Sequence, residues 1–143
     1  MYRRFRSTRR PGFLRAMVLL SASPFVAGCG DDGTGPDASA TFTVEVSGEE
    51  FTVRVEGFQN VQGLQERLAP GREGVISGEL IAGDGGFNAP WSWHLDPATV
   101  HAPDLAIELC DGRPSMVEED LDYWLESVGT FCPWGAKVVG RVE

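Results

Sequence analysis

Phe42, Val44 and Val46 alternate with Thr41, Thr43 and Glu45; after Ser47-Gly48-Glu49, Phe51, Val53 and Val55 alternate with Thr52, Arg54 and Glu56. A period of two on both sides of a short glycine-containing turn specifies a β-hairpin with one apolar face. An isolated two-stranded ribbon is barely stable in water, so the rest of the chain must cover that face. With 143 residues, of which 42% are apolar and 23% charged, there is room for one domain of ordinary size. Gly 18 and Pro 9 indicate many turns, and the composition excludes collagen, a coiled coil and a multi-span membrane protein.

The cover is legible as further elements. Asn60 is placed to cap a helix in which Val61, Leu64 and Leu68 share one face, ended by Pro70-Gly71. Val75 to Ala82 reads as a strand interrupted by Gly78, and Trp91 to Leu95 alternates again. Leu105 to Cys110 reads as a compact apolar strand with Leu105, Ile107 and Leu109 on one side. Pro114 opens the strongest helix, in which Val117, Leu121, Trp124, Leu125 and Val128 form a stripe and Gly129 is the stop. Ala136 to Val142 supplies a last strand. The expected class is α+β: a single domain with a largely antiparallel β-sheet, two helices packed on one face, and one disulfide.

The first segment reads as an address. Residues 1–15 hold six arginines and no acid, and residues 16–28 are uncharged and largely apolar. That pattern is a signal peptide, and a helix of about 13 residues rises only about 20 Å, too short to span a bilayer. Val26-Ala27-Gly28-Cys29 resembles the bacterial lipoprotein box, in which small residues admit the peptidase and the thiol carries a diacylglycerol. Residues 1–28 are therefore expected to be a lipoprotein signal peptide, 29–39 a flexible acidic and glycine-rich tether, and 40–143 the folded domain. The expected partner of Cys29 is a membrane, with the protein exported and anchored in a bacterial cell envelope, at an outer membrane or cell surface where the host has one. Arg9-Arg10 followed by Phe13 resembles a twin-arginine export signal, but Pro11-Gly12 displace the phenylalanine by one position.

Removal of residues 1–28 changes the formal charge from −9 to −15, because six basic residues remain against 21 acidic ones. Nucleic acid is excluded as an expected partner, since phosphate binding needs basic residues, whereas cations and basic proteins are attracted. With Cys29 assigned to lipid, Cys110 and Cys132 form one even pair in an oxidising compartment. Their disulfide would close a loop of about 22 residues and contribute on the order of 3 kcal/mol.

Pro90-Trp91-Ser92-Trp93-His94-Leu95-Asp96-Pro97, Ala106-Ile107-Glu108-Leu109-Cys110-Asp111, Val117 to Asp122 and Cys132-Pro133-Trp134 stand out from their surroundings. In that order they resemble the BP-74-type domain, the N-terminal domain family of an amoebal calmodulin-binding protein. The resemblance implies a small secreted or lipid-anchored domain. Calmodulin binding is not carried over, because calmodulin targets are basic amphipathic helices and the helix here is acidic on its polar face. The segment departs from the family pattern at His101-Ala102-Pro103, where a more aromatic stretch is expected.

Three kinds of site residue follow. Trp91, Trp93, Trp124 and Trp134 form either an aromatic core cluster, with each indole N–H finding a partner, or an exposed surface for a sugar or peptide. His94 and Asp96, with Glu108 from a neighbouring strand, are the candidate set for a divalent cation or an acid/base pair, although a histidine bonded to an acid is also an ordinary structural arrangement. No other cofactor is expected. Asp84 in its glycine loop lacks the ligand ladder of a calcium site, and no GxSxG, HExxH or phosphate-binding loop occurs. The leading expectation is a non-catalytic interaction domain; a carboxylate- or metal-dependent hydrolase and a carbohydrate or peptide binder are the alternatives.

Overall fold

The computed structural model describes residues 38–142; the segment expected to be a signal peptide, Cys29 and most of the expected tether lie outside them. Strands β1 (Ser39–Val46) and β2 (Glu49–Glu56) form the hairpin, with Phe42 opposite Val53 and Val44 opposite Phe51. Ala40, Phe42, Val44, Val46, Phe51, Val53 and Val55 are all buried, as the alternation requires. The turn is the two-residue kind, with Ser47 and Gly48 both at positive φ, and Glu49 belongs to β2 instead of the turn. Ala38 is already buried and its carbonyl accepts from Gly57 N–H, so the fold begins within the segment expected to be tether.

Helix α1 (Phe58–Glu66) follows, placing Val61 and Leu64 in the core. Asn60 lies inside the helix, not at its cap: Gly57 holds the cap position at φ 88, and the Asn60 amide donates to Glu56 O. Strands β3 (Gly78–Ala82) and β4 (Trp93–Leu95) are shorter than the stretches read as strands, and β5 (Thr130–Phe131) is a strand the sequence reading did not expect. Between β4 and β5 come helix α2 (Pro114–Glu119), the turn α3 (Leu121–Tyr123) and a π-helical turn over Trp124–Val128. Strand β6 (Lys137–Val142) closes the described chain.

The domain is α+β and antiparallel, and its strands divide between two sheets of three, ordered β2-β1-β6 and β4-β3-β5. The apolar faces meet through aromatic rings. Phe51 from β2 lies 5.7 Å from Trp93 and 5.6 Å from Phe131, and Trp93 and Phe131 are 5.4 Å apart. The predicted single helix after Pro114 is broken at Asp120 (φ −137, ψ 53), and its last turn widens so that Gly129 N–H reaches Trp124 O at 2.7 Å. Its apolar stripe survives: Val117 and Trp124 are buried, with Leu121, Leu125 and Val128 packed against the core. Cys110 and Cys132 are joined as a disulfide across 22 residues.

Two polar side chains hold the layers in place. Asn88 is buried, accepts from Thr52 N–H at 2.7 Å on the open edge of β2, and donates to Trp93 O at 2.8 Å on β4. Glu49 supplies the cap that α2 lacks locally, accepting from both the backbone N–H and the hydroxyl of Ser115 at 2.8 Å. These contacts hold the Glu49 carboxyl below its ordinary range: the Ser115 backbone N–H has the largest effect, partial desolvation opposes it, and the Ser115 hydroxyl and Arg113 add to it.

Asn88→Ala leaves a buried N–H and a carbonyl without partners and is expected to cost about 2–3 kcal/mol in urea unfolding. For Glu49, a depressed folded pKa means stability that is present above the unfolded value of about 4.3 and lost as pH falls through the folded value. Glu49→Gln is therefore expected to cost about 1 kcal/mol at pH 7 and progressively less as the medium is acidified below about pH 4, checked by denaturant titrations across pH.

Candidate functional site

The segment Trp91 to Pro97 crosses the open edge of β2. Trp91 Nε1 donates to Glu50 O at 2.9 Å and Pro97 O accepts from Glu56 N–H at 3.0 Å, flanking the Asn88 contact to Thr52. Ser92 N–H donates to Glu118 of α2 at 2.8 Å. An edge that would otherwise present unpaired backbone is thus sealed by side chains and carbonyls from this one stretch.

The tryptophans divide. Trp93 is fully buried, Trp124 packs edge-on to Phe131 at 5.9 Å, and Trp91 lies 6.2 Å from Trp93. Trp134 is 42% exposed and outside that cluster, so the expected four-ring group is a three-ring group completed by Phe51 and Phe131. The Trp93 indole N–H finds no partner among the described residues, contrary to the expectation that each would. Such an orphan costs about 1–3 kcal/mol, which the burial of the ring must outweigh.

His94, Asp96 and Glu108 are not brought together. Among the described residues no three His, Cys, Asp or Glu side chains are placed to hold a metal ion. His94 Nδ1 contacts Gly83 O at 2.6 Å and its ring meets Phe87 edge-on at 5.5 Å. A Cβ at Gly85, which also has φ +62, would press on both rings. Asp96 Oδ1 accepts from Ala98 N–H within its own turn. Glu108 belongs to a short 3₁₀ turn (Glu108–Cys110), not to a neighbouring strand.

The largest departure from expectation is the stretch Leu105 to Cys110. It is not a paired strand, and Leu105, Ile107 and Leu109 are 87%, 68% and 58% exposed. The disulfide turns Cys110 inward and Ala106 packs against Val75, Cys110 and Cys132, while Leu105, Ile107, Glu108 and Leu109 are left facing outward. Strands β4 and β5 flank β3 in that sheet, and the segment pairs with neither.

Both ends of the segment are clamped. Arg67 donates to Ala102 O at 3.3 Å and Pro103 O at 3.2 Å, and its guanidinium lies where a Cβ on Gly74 would be. At the other end, Cys132 N–H donates to Cys110 O at 2.7 Å and Trp134 N–H to Asp111 Oδ1 at 2.9 Å. On one flank the segment bounds a groove of about 240 Å³ with Ser77, His101, Val128 and Thr130. On the other it bounds a cleft of about 370 Å³ with Arg67, Glu73 and Trp134. Asn88, Glu49 and Arg67 carry none of the spacing that marks a functional residue, and sequence reasoning missed them.

A family model, the BP-74 N-terminal domain, matches residues 37–143. The chain belongs to this family. Its characteristic pieces here are the ties just described: the Trp91–Pro97 stretch seals β2, Glu118 holds Ser92, and Asp111 with the disulfide joins the Cys110 and Cys132 segments. Comparison with curated proteins and with solved structures found no match. The family pattern in this chain is thus carried by residues that build the fold and present the Leu105–Leu109 segment.

Iodide is expected to quench only the solvent-facing fraction of the tryptophan emission, and Trp134→Phe to remove most of that fraction while the emission of Trp93 and Trp124 stays protected. Equal quenching in the variant would place the core rings in solvent.

Proposed function

We propose that this protein is a lipid-anchored, exported binding domain without catalytic activity of its own, held in a bacterial envelope through Cys29. The observation that carries the binding part is the apolar ridge Leu105-Ile107-Leu109, exposed and clamped at both ends. Contiguous exposed apolar surface of this kind marks interaction sites, and immobilising it in advance lowers the entropy lost on binding. Anchoring is supported by the arginine-rich, then apolar, then Val26-Ala27-Gly28-Cys29 order of the leader. Two or three acyl chains would hold the protein far more firmly than a single myristoyl chain. The cysteine pair, joined in the fold, suits an oxidising compartment.

A second reading, a carbohydrate binder, is favoured by Trp134 standing exposed in a cleft with Glu73 and Asp104. It is weaker because Glu73 is engaged by Lys137 at 3.1 Å and Arg67 by backbone carbonyls. For the hydrolase reading, His94, Asp96 and Glu108 form no group that could hold a metal ion among the described residues.

The test is the mature N-terminus. Intact mass of the membrane-extracted protein is expected to show Cys29 as the first residue with added acyl mass, and Cys29→Ser to abolish that mass and move the protein out of the membrane fraction or leave an uncleaved precursor. A soluble, unmodified native chain starting elsewhere would overturn the anchoring.

A further inference from the structure

Three features of residues 104–109 point the same way. First, among the described residues no backbone hydrogen bond engages the N–H of Leu105, Ala106 or Ile107, whereas the chain just before it is paired, His101 exchanging both bonds with Ser77 at 2.9 Å. Second, Ile107 is extended (φ −84, ψ 150) ahead of the 3₁₀ turn, and Leu105, Ile107 and Leu109 face water together with Glu108. Third, the charge is of one sign. Asp104, Glu108 and Asp111 are exposed, no Lys or Arg lies between Val100 and Gly112, and residues 38–142 hold six basic against 17 acidic residues.

Resting on the reading of this protein as a binding domain, we propose that the exposed ridge Leu105-Ile107-Leu109, extended at Ile107 and ending in the 3₁₀ turn Glu108–Cys110, takes up an extended peptide segment of a basic partner, one that alternates apolar and Lys or Arg residues. The unpaired N–H groups of Leu105, Ala106 and Ile107 supply donors to the partner's main chain. The partner's apolar residues cover Leu105, Ile107 and Leu109 and enter the groove beside Val128 and Thr130, while its basic residues meet Asp104, Glu108 and Asp111. A second copy of this chain is a poorer occupant. It would bring the same three acids and the same excess of negative charge to the interface.

The experiment uses the mature protein in nanodiscs of neutral phosphatidylcholine and a fluorescein-labelled ten-residue peptide alternating Ile with Lys. The controls are a peptide of the same composition with the isoleucines at one end, and one alternating Ile with Glu. Fluorescence anisotropy is expected to show the first peptide binding about ten-fold or more tightly than either control, weakening as salt is raised. Hydrogen exchange should slow at Leu105 to Leu109 on binding. Leu105→Ser and Ile107→Ser, both at exposed positions, should each lower affinity about ten-fold without changing the unfolding midpoint.

Absence of binding, equal binding of the Ile/Glu peptide, or binding with no protection at Leu105 to Leu109 would overturn the proposal. So would a dimer in sedimentation that Ile107→Ser dissolves, since that would make a second copy the occupant. The Cys29→Ser chain gives the same peptide readout in solution, so failure of the anchoring leaves this test standing.

Discussion

Phe51, Trp93 and Phe131 meet as a triangle of rings, each touching the other two, and the relation between the two sheets depends on that contact. Phe51 comes from the hairpin, Trp93 from β4 and Phe131 from β5, so one cluster of rings ties three separated stretches of chain. Aromatic side chains bury roughly 150–250 Å² each and prefer the tilted and edge-on geometries seen here. The indole N–H of Trp93 has no hydrogen-bond partner among the described residues. Asn88 supplies the directionality that rings lack, fixing which carbonyl of β4 lies beside which N–H of β2.

The hairpin and the final strand were legible because alternation is a local property: each apolar residue of β1 and β2 is buried where the period of two places it. The stripe of the second helix was legible for the same reason, although the break at Asp120 was not. Division into two sheets was hidden, since no sequence period states which strands share a ladder. Asn88 and Glu49 were hidden too, because each acts on a backbone 36 or 66 residues away.

Leu105 to Cys110 is instructive. Its alternation was real, and its burial was inferred with the wrong sign, because apolar residues on one parity are ordinarily the inward ones. The signal that could have corrected this was Cys110, which lies on the opposite parity to Leu105, Ile107 and Leu109. A disulfide to a buried Cys132 draws Cys110 inward, and the 3₁₀ turn Glu108–Cys110 that delivers it there ends the period of two and leaves Leu109 outside with Ile107. The expected His94, Asp96 and Glu108 set failed for a related reason: it assumed Glu108 in a strand beside β4, and the segment that carries Glu108 never joins the sheet.

Gly74 shows how small a change could undo this arrangement from a distance. Its neighbours in sequence touch neither Ile107 nor Leu109 through any side-chain hydrogen bond, yet a single methyl group there would occupy the space of the Arg67 guanidinium. The guanidinium, as the far end of a flexible side chain, would swing away and release the carbonyls of Ala102 and Pro103. The most conservative substitution in the genetic repertoire would then leave the aromatic core intact while untying one end of the outward-facing segment. Tolerance to mutation in this domain is therefore graded by what a residue holds taut, and not by its depth alone.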